Sequence, residues 1–311
     1  MAEKGNKSAD VYGEQTVEEA FGATLKSNFA FMQQWEPVAQ KGEDIEGVHQ
    51  VRVAYRRLRS ALVIYRKAMP RILTDSWGEE MRWAASELGP ARDLDVFISE
   101  GLAPMAGKIP LPEGENKLLE LAKEHRAQAY TRVQEMIQSQ RYQNFKSGFS
   151  AWVAQKGWRG GEISQEVLSG FEKGVVRYAM KTLDKRVSSV LLTGQDMGRM
   201  SAEELHQLRI ECKKLRYATE FFNSLFPAEE MAGFTLQLKG LQGLLGIMND
   251  VAVLPGLLDT LLEGVQDKET LKYAGALIGW RLRQYEEVRG QLDGRWEAFA
   301  QQKLPWKGAK K

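Results

Sequence analysis

Val-His-Gln-Val-Arg-Val-Ala-Tyr-Arg-Arg-Leu-Arg occupies residues 48–59, and Leu-His-Gln-Leu-Arg-Ile-Glu-Cys-Lys-Lys-Leu-Arg occupies residues 205–216. The two segments match in register, with an offset of 157 residues between His49 and His206. The same offset carries Pro70 onto Pro227, Leu88-Gly89 onto Leu245-Gly246, Asp93 onto Asp250 and Val96 onto Val253. Roughly fifty residues align without a gap, and a fixed internal period marks a repeated structural unit. The chain therefore reads as two copies of one helical unit, related by a pseudo-two-fold axis.

Outside these segments the pattern is also helical. Val, Ile and Thr do not cluster in alternating runs, so strand signals are poor. Apolar spacing predicts helices over Val17 to Trp35, Val48 to Met69, Ile72 to Leu88, Ala91 to Leu102, Lys117 to Ser139 and Tyr142 to Gln155. The Pro- and Gly-bearing stretch 108–116 is expected to be a loop. Gly157-Trp158-Arg159-Gly160-Gly161 is the expected boundary, because paired glycines resist continuous helix. Beyond it, helices are expected over Glu166 to Leu192, from Ser201 to Phe226, to Leu245, after Asn249-Asp250, and over Glu269 to Gln301. Ser201 and Glu204 have the spacing of a capping box. The first half is placed at 11–157 and the second at 158–302, with polar tails at 1–10 and 303–311 expected to be flexible.

Bulk composition excludes several classes. A hydrophobic fraction of 43% suffices for real cores. Basic and acidic residues number 43 and 41, so the net charge of +2 says little about partners. The single cysteine, Cys212, rules out an internal disulfide framework. The N-terminus lacks the apolar core of a signal peptide, and no run of about 20 apolar residues stands out. The expectation is a cytoplasmic protein without a membrane span.

Local charge is more informative. On a helix, positions i, i+3, i+7 and i+10 share one face. From His49 these are Arg52, Arg56 and Arg59; from His206 they are Arg209, Lys213 and Arg216. Apolar residues occupy the adjacent arc: Val48, Val51, Tyr55, Leu58 and Leu62 in one copy, and Leu205, Leu208, Cys212 and Leu215 in the other. Arg57 and Lys214 point away from the basic stripe. No acidic residue lies between Val48 and Arg71. Like charges crowded on one face repel unless an anion uses them, and guanidinium groups match phosphate oxygens with paired hydrogen bonds. Arg82 and Lys239 form a further repeated basic pair, and Arg126 and Arg283 share the offset less securely.

A solvated helix face is the bland alternative for any single basic stripe. Duplication of the stripe together with its histidine weighs against it, since the chain has three histidines in all. His49 and His206 divide between a structural role and a ligand contact. Asp93 and Asp250 read first as helix-capping or first-turn acids, and second as carboxylates that hold an Arg or His. Asp95 has no counterpart, because the second copy carries Ala252.

These segments resemble the CHAD family, the conserved-histidine α-helical domain. The resemblance is carried by 49–59, by Leu88-Gly-Pro-Ala-Arg-Asp-Leu-Asp95, by 206–217 and by Leu245-Gly-Ile-Met-Asn-Asp250, and extends from about Val17 to Trp306. It implies an all-α fold of two four-helix bundles with a basic channel between them, and binding of inorganic polyphosphate. Carried onto this chain, the ligand-binding positions are His49, Arg52, Arg56 and Arg59 with His206, Arg209, Lys213 and Arg216. Arg82 and Lys239 are added on the internal repeat. CHAD domains often accompany a triphosphate tunnel enzyme marked by Glu-x-Glu-x-Lys. Glu113-Gly-Glu115-Asn-Lys117 fits literally, yet it sits where a loop meets a helix and not on a barrel strand, so a stand-alone CHAD protein is expected.

Three functions follow in order. The first is non-catalytic polyphosphate binding, without cofactor or metal, in the cytoplasm or at polyphosphate granules with protein partners there. The second is an enzyme acting on polyphosphate or other phosphate esters, with the histidines as phosphoryl acceptors or metal ligands; a field of arginines repels a divalent cation. The third is nucleic-acid binding, disfavoured because the stripe is short and brings no stacking platform or recognition-helix motif.

Overall fold

The computed structural model describes residues 10–160 and 163–308. Among these residues the regular structure is helical, apart from one isolated bridge between Thr16 and Gly174. The helices are α1 (Val17–Lys41), α2 (Ile45–Ile64), α3 (Asp75–Glu87), α4 (Gly89–Val96), α5 (Pro112–Gln138), α6 (Gln140–Ala154), α7 (Gln165–Phe171), α8 (Val175–Thr193), α9 (Ala202–Phe222), α10 (Ala228–Leu261) and α11 (Lys268–Ala300).

Local chemistry sets most of these ends. Thr16 and Glu19 form a capping box at the start of α1, and Ser201 and Glu204 form the expected one at the start of α9. Each satisfies amide donors that the first helical turn leaves unpaired. Asp44 caps α2 and Asp267 caps α11 in the same way. Gly42 closes α1 at φ 71°, a left-handed conformation that glycine adopts without steric cost.

Several expected boundaries shift. Helix α1 runs through Pro37 to Lys41. The expected loop at 108–116 ends early, because Pro112 lies in the first turn of α5, where its missing amide costs nothing. Glu113, Glu115 and Lys117 therefore lie on a helix and not on a strand. The expected single helix over 166–192 is two, parted before Gly174, where the bridge to Thr16 interrupts it. Conversely, the helices expected on either side of Asn249-Asp250 are one, α10, which passes through Pro255.

Helix α10 also corrects the hydropathy reading. It holds a window of mean hydropathy 1.4, long and apolar enough to cross a membrane by length and composition alone. Its Met231, Phe234, Leu238, Leu241, Leu245 and Met248 recur at helical spacing and are buried. They pack the second half against α9 and α11.

In the first half, α1 lies along α2, and α6 delivers Phe145 and Phe149 to an aromatic stack with Phe29, Trp77 and Trp152. Trp158 joins this half beyond the expected boundary: it packs on Phe21, and its indole donates to Glu18 at 2.8 Å. The C-terminal segment is not loose over 303–308. Trp306 is fully buried, donates to Asp184 at 2.8 Å and packs against Phe234. The remainder of the two expected tails, 1–9 and 309–311, lies outside the described residues.

Asp95, which lacks a repeat partner, is a structural residue. Its side chain is fully buried and accepts from Arg126 Nε and Tyr130 Oη, each at 2.7 Å. Arg126 thus anchors α5 to α4. Removing one member of a buried ion pair strands the other, so Asp95→Ala is expected to lower the unfolding free energy by roughly 3 kcal/mol in a denaturant titration.

Candidate functional site

Helices α2 and α9 carry the two matching stripes and meet face to face. Arg57 of α2 pairs with Glu220 of α9 at 3.2 Å, which fixes their crossing. The stripe residues converge beside this pair. Arg56 lies over the Tyr217 ring at 5.7 Å, and Arg216 lies over the same ring at 5.0 Å.

Against this crossing lies a cavity of about 550 Å³, walled by α2, α3, α8 and α9. Eight basic residues line it: Arg56, Arg59, Arg66, Arg71, Arg82, Arg186, Lys213 and Lys214. The acidic lining residues are two, Asp75 and Glu79. Four of the basic side chains were expected from the sequence: Arg56, Arg59, Arg82 and Lys213. Among the described residues these four make no ion pair and no hydrogen bond, so their charge is held in reserve.

Burial and mutual repulsion act on these cations together. Desolvation lowers the pKa of Arg59, and Arg82 adds to it. Lys213 falls to about 8, first through desolvation and then through Arg209, Arg56 and Arg216, with Asp250 opposing. Arg56 belongs to α2 and the other two arginines to α9, so both helices press on this one lysine. The cations are gathered here although burial and mutual repulsion oppose the protonation of one of them.

The other expected site residues lie outside the cavity lining, Lys239 on α10 and the rest on α2 and α9, and several are engaged by the protein. Arg52 donates from Nη1 to the Ala85 carbonyl at 2.6 Å. Arg216 contacts Glu220 at 3.4 Å and the Tyr217 hydroxyl at 3.1 Å. His206 is exposed, and its Nδ1 lies 2.8 Å from Asn249 Oδ1. His49 is half-buried and Lys239 exposed, and neither lines the cavity. Arg209 is half-buried outside the cavity lining, its pKa lowered by desolvation while Asp250 opposes.

Asp93 and Asp250 are neither caps nor first-turn acids, because both sit inside their helices. Their electrostatic neighbours are stripe arginines. Asp93 acts on Arg52, and Asp250 acts on Arg209 and Lys213. The Asp93 carboxyl is raised above its usual range by desolvation, against the pull of Arg52 and Arg92, and the charge of Asp250 adds to the rise. The two equivalent aspartates therefore lie within electrostatic reach of each other, Asp93 balancing Arg52 and Asp250 balancing Arg209 and Lys213.

Sequence reasoning missed Arg66, Arg71 and Arg186. The repeat could not flag them, since the equivalent positions are Asn223, Ala228 and Phe29. Arg66 and Arg71 do lie in and at the end of the acid-free run after Val48, a signal present in the sequence. Lys214, set aside as pointing elsewhere, lies at the cavity lining and pairs with Glu211 at 2.6 Å. Arg57, also set aside from the stripe, pairs with Glu220 of α9. The unrepeated arginines make the cavity one-sided: it belongs to the α3 and α8 side of the crossing. Among the described residues no group of three His, Cys, Asp or Glu side chains is placed to hold a metal ion.

The comparisons with known proteins agree with this architecture. The crystal structure of the CHAD domain from the plant Ricinus communis is similar, with a TM-score of 0.81 and 25% sequence identity over 96% of this chain and 97% of that one. PptA from Streptomyces chartreusis shares the fold, with a TM-score of 0.68 at 13% identity over 91% of this chain and all of that one. No curated protein matches the sequence. The CHAD domain model matches residues 23–259, most of the described chain, and the protein belongs to the CHAD family.

Proposed function

We propose that this protein binds inorganic polyphosphate without catalysing its turnover, and that the cavity at the α2–α9 crossing is the principal contact. The observation that carries the reading is the lining of eight cations against two acids, with four of the cations in no ion pair or hydrogen bond among the described residues. A polyphosphate presents closely spaced anionic oxygens, each a partner for a guanidinium fork. The two halves are read as copies of one bundle about a pseudo-two-fold axis, with the binding region at their junction. Three equivalent helix pairs touch in support of that reading. The starts of α1 and α8 are bridged at Thr16 and Gly174, α2 meets α9, and Gly114 of α5 lies against the backbone of Glu269 on α11. The chain would run from the cavity along the crossing toward Arg52 and Arg209, in the cytoplasm or at polyphosphate granules.

Binding by phosphate neutralisation releases counterions, with a slope of log affinity against log salt of about −0.7 per contacted phosphate for a single-stranded polyanion. Six contacts give a slope of about −4, so affinity should fall roughly hundredfold or more between 50 and 200 mM salt. Calorimetric titration with polyphosphate across that range checks the slope. A flat dependence would sink the reading. Preference for single-stranded DNA over polyphosphate at equal salt would favour the nucleic-acid reading. Release of orthophosphate from the bound chain would favour the enzyme.

A further inference from the structure

Lys213 stands apart from its neighbour in sequence. Lys214 is tied to Glu211 at 2.6 Å, whereas Lys213 lines the cavity with no carboxylate in ion-pair contact among the described residues. Facing it are Arg56 of α2, Arg209 and Arg216 of α9, and Asp250 of α10. Arg59, Arg82 and Arg186 line the same cavity from α2, α3 and α8. An amine with this surrounding meets any small phosphate ester that enters with its phosphoryl group already held by guanidinium groups.

We infer that Lys213 is an acylation site: small acyl phosphates, seated through their phosphoryl group on the arginines of the cavity, transfer their acyl group to its Nζ. The neutral amine attacks the acyl carbon. The new C–N bond forms as the bond from acyl carbon to the bridging phosphate oxygen breaks. Inorganic phosphate leaves with its charge held by the arginines, and the proton lost from nitrogen passes to water. The product is an uncharged amide in the middle of the cationic lining, so the modification would weaken the anion site. This inference rests on the proposed anion-binding role of the cavity.

The pKa of about 8 supports the step. At pH 8 about half of such amines are neutral, against under about one per cent for an ordinary lysine. Lower basicity reduces intrinsic nucleophilicity by about tenfold if amines follow the Brønsted slope of thiols. In the empty cavity the net advantage is about tenfold from the amine alone; a bound anionic donor raises the pKa again and offsets part of it, so the acetyl phosphate preference rests on holding the donor in place.

The test uses the full chain at pH 8 with two acetyl donors, acetyl phosphate and the uncharged N-hydroxysuccinimidyl acetate. Mass spectrometry of proteolytic peptides reads the acetylation rate at Lys213 and at Lys214. With acetyl phosphate, Lys213 should react at least about tenfold faster than Lys214. The ratio should shrink with the uncharged donor, and tripolyphosphate should protect Lys213 against acetyl phosphate. An Arg56→Gln/Arg59→Gln variant that keeps its circular dichroism spectrum should lose the preference for acetyl phosphate over the uncharged donor. Equal rates at Lys213 and Lys214, in protein that still binds tripolyphosphate, overturn the acylation inference and leave the anion site intact. Identical selectivity with both donors overturns delivery by the arginines. Failure to bind tripolyphosphate, with no protection of Lys213, overturns the reading of the cavity beneath both.

Discussion

Replacing Arg56, Arg59, Arg82 and Lys213 together by alanine should cost polyphosphate affinity about a thousandfold while the protein stays folded. A hydrogen bond to a charged group contributes about 1.5–3 kcal/mol, and exposure at Arg56 and Arg82 argues for about 1 kcal/mol per side chain here. Four contacts then sum to about 4 kcal/mol, or about three decades in dissociation constant. The salt slope should flatten at the same time, by about 0.7 for each phosphate contact removed. The fold should tolerate the change because these four side chains hold no ion pair or hydrogen bond among the described residues. Their removal relieves repulsion, so the thermal midpoint is expected to hold or rise. This choice of four departs from the one the stripe alone recommends. Arg52 fastens α2 to the Ala85 carbonyl, so its loss would mix a binding effect with a folding one. A control variant with Lys117, Lys272, Arg283 and Lys307 replaced by alanine removes equal charge outside the cavity lining and should bind within about threefold of the parent. If the cavity variant binds within tenfold of the parent by calorimetry, the polyphosphate contact lies elsewhere.

The contrast between Arg52 and Arg56 marks what a sequence can disclose. Both lie on one helical face, and the repeat makes that face visible through matched residues at a constant offset. The helical periodicity and capping signals were equally legible, as at Ser201 and Glu204. What remained hidden depended on the third dimension. Arg186 approaches from α8 only because α8 packs against α9, and no local pattern at that position announces it. Asp93 and Asp250 looked like terminal acids because Leu-Gly looked like a helix stop. In the second half the burial of Leu238, Leu241 and Leu245 against neighbouring helices carries α10 straight through that point. Packing outweighed local propensity there, as it commonly does. The histidines illustrate the opposite hazard. Their repetition drew attention, yet His206 is exposed and oriented by Asn249, outside the cavity. The geometry places both histidines outside the cavity lining.

Polyphosphate affinity should fall as the pH rises above about 8, and Lys213 should be the cause. In the free protein its pKa is about 8, depressed by desolvation and by Arg209, Arg56 and Arg216. A polyanion beside the amine stabilises its charged form and returns the pKa toward the ordinary value. The complex then carries more protons than the free protein whenever the pH exceeds the free value, and binding takes up a proton. Below pH 8 the lysine is already charged and affinity is level with respect to this group. Above it, affinity should decline by up to about tenfold per pH unit until the pKa of the complex is reached. The unliganded protein should show the reverse sign. Its folded pKa is lower than the unfolded one, so the unfolded chain holds more protons in the interval above 8, and stability rises with pH there. Lys213→Arg separates this effect from every other titration, because a guanidinium remains charged throughout. The arginine variant should bind with little change between pH 8 and 9 while the parent weakens. Calorimetry in two buffers of different ionisation enthalpy should detect about one proton taken up at pH 9 by the parent and fewer by the variant. If parent and variant weaken alike, the lysine is not the titrating contact. The cavity would then owe its affinity to arginines alone.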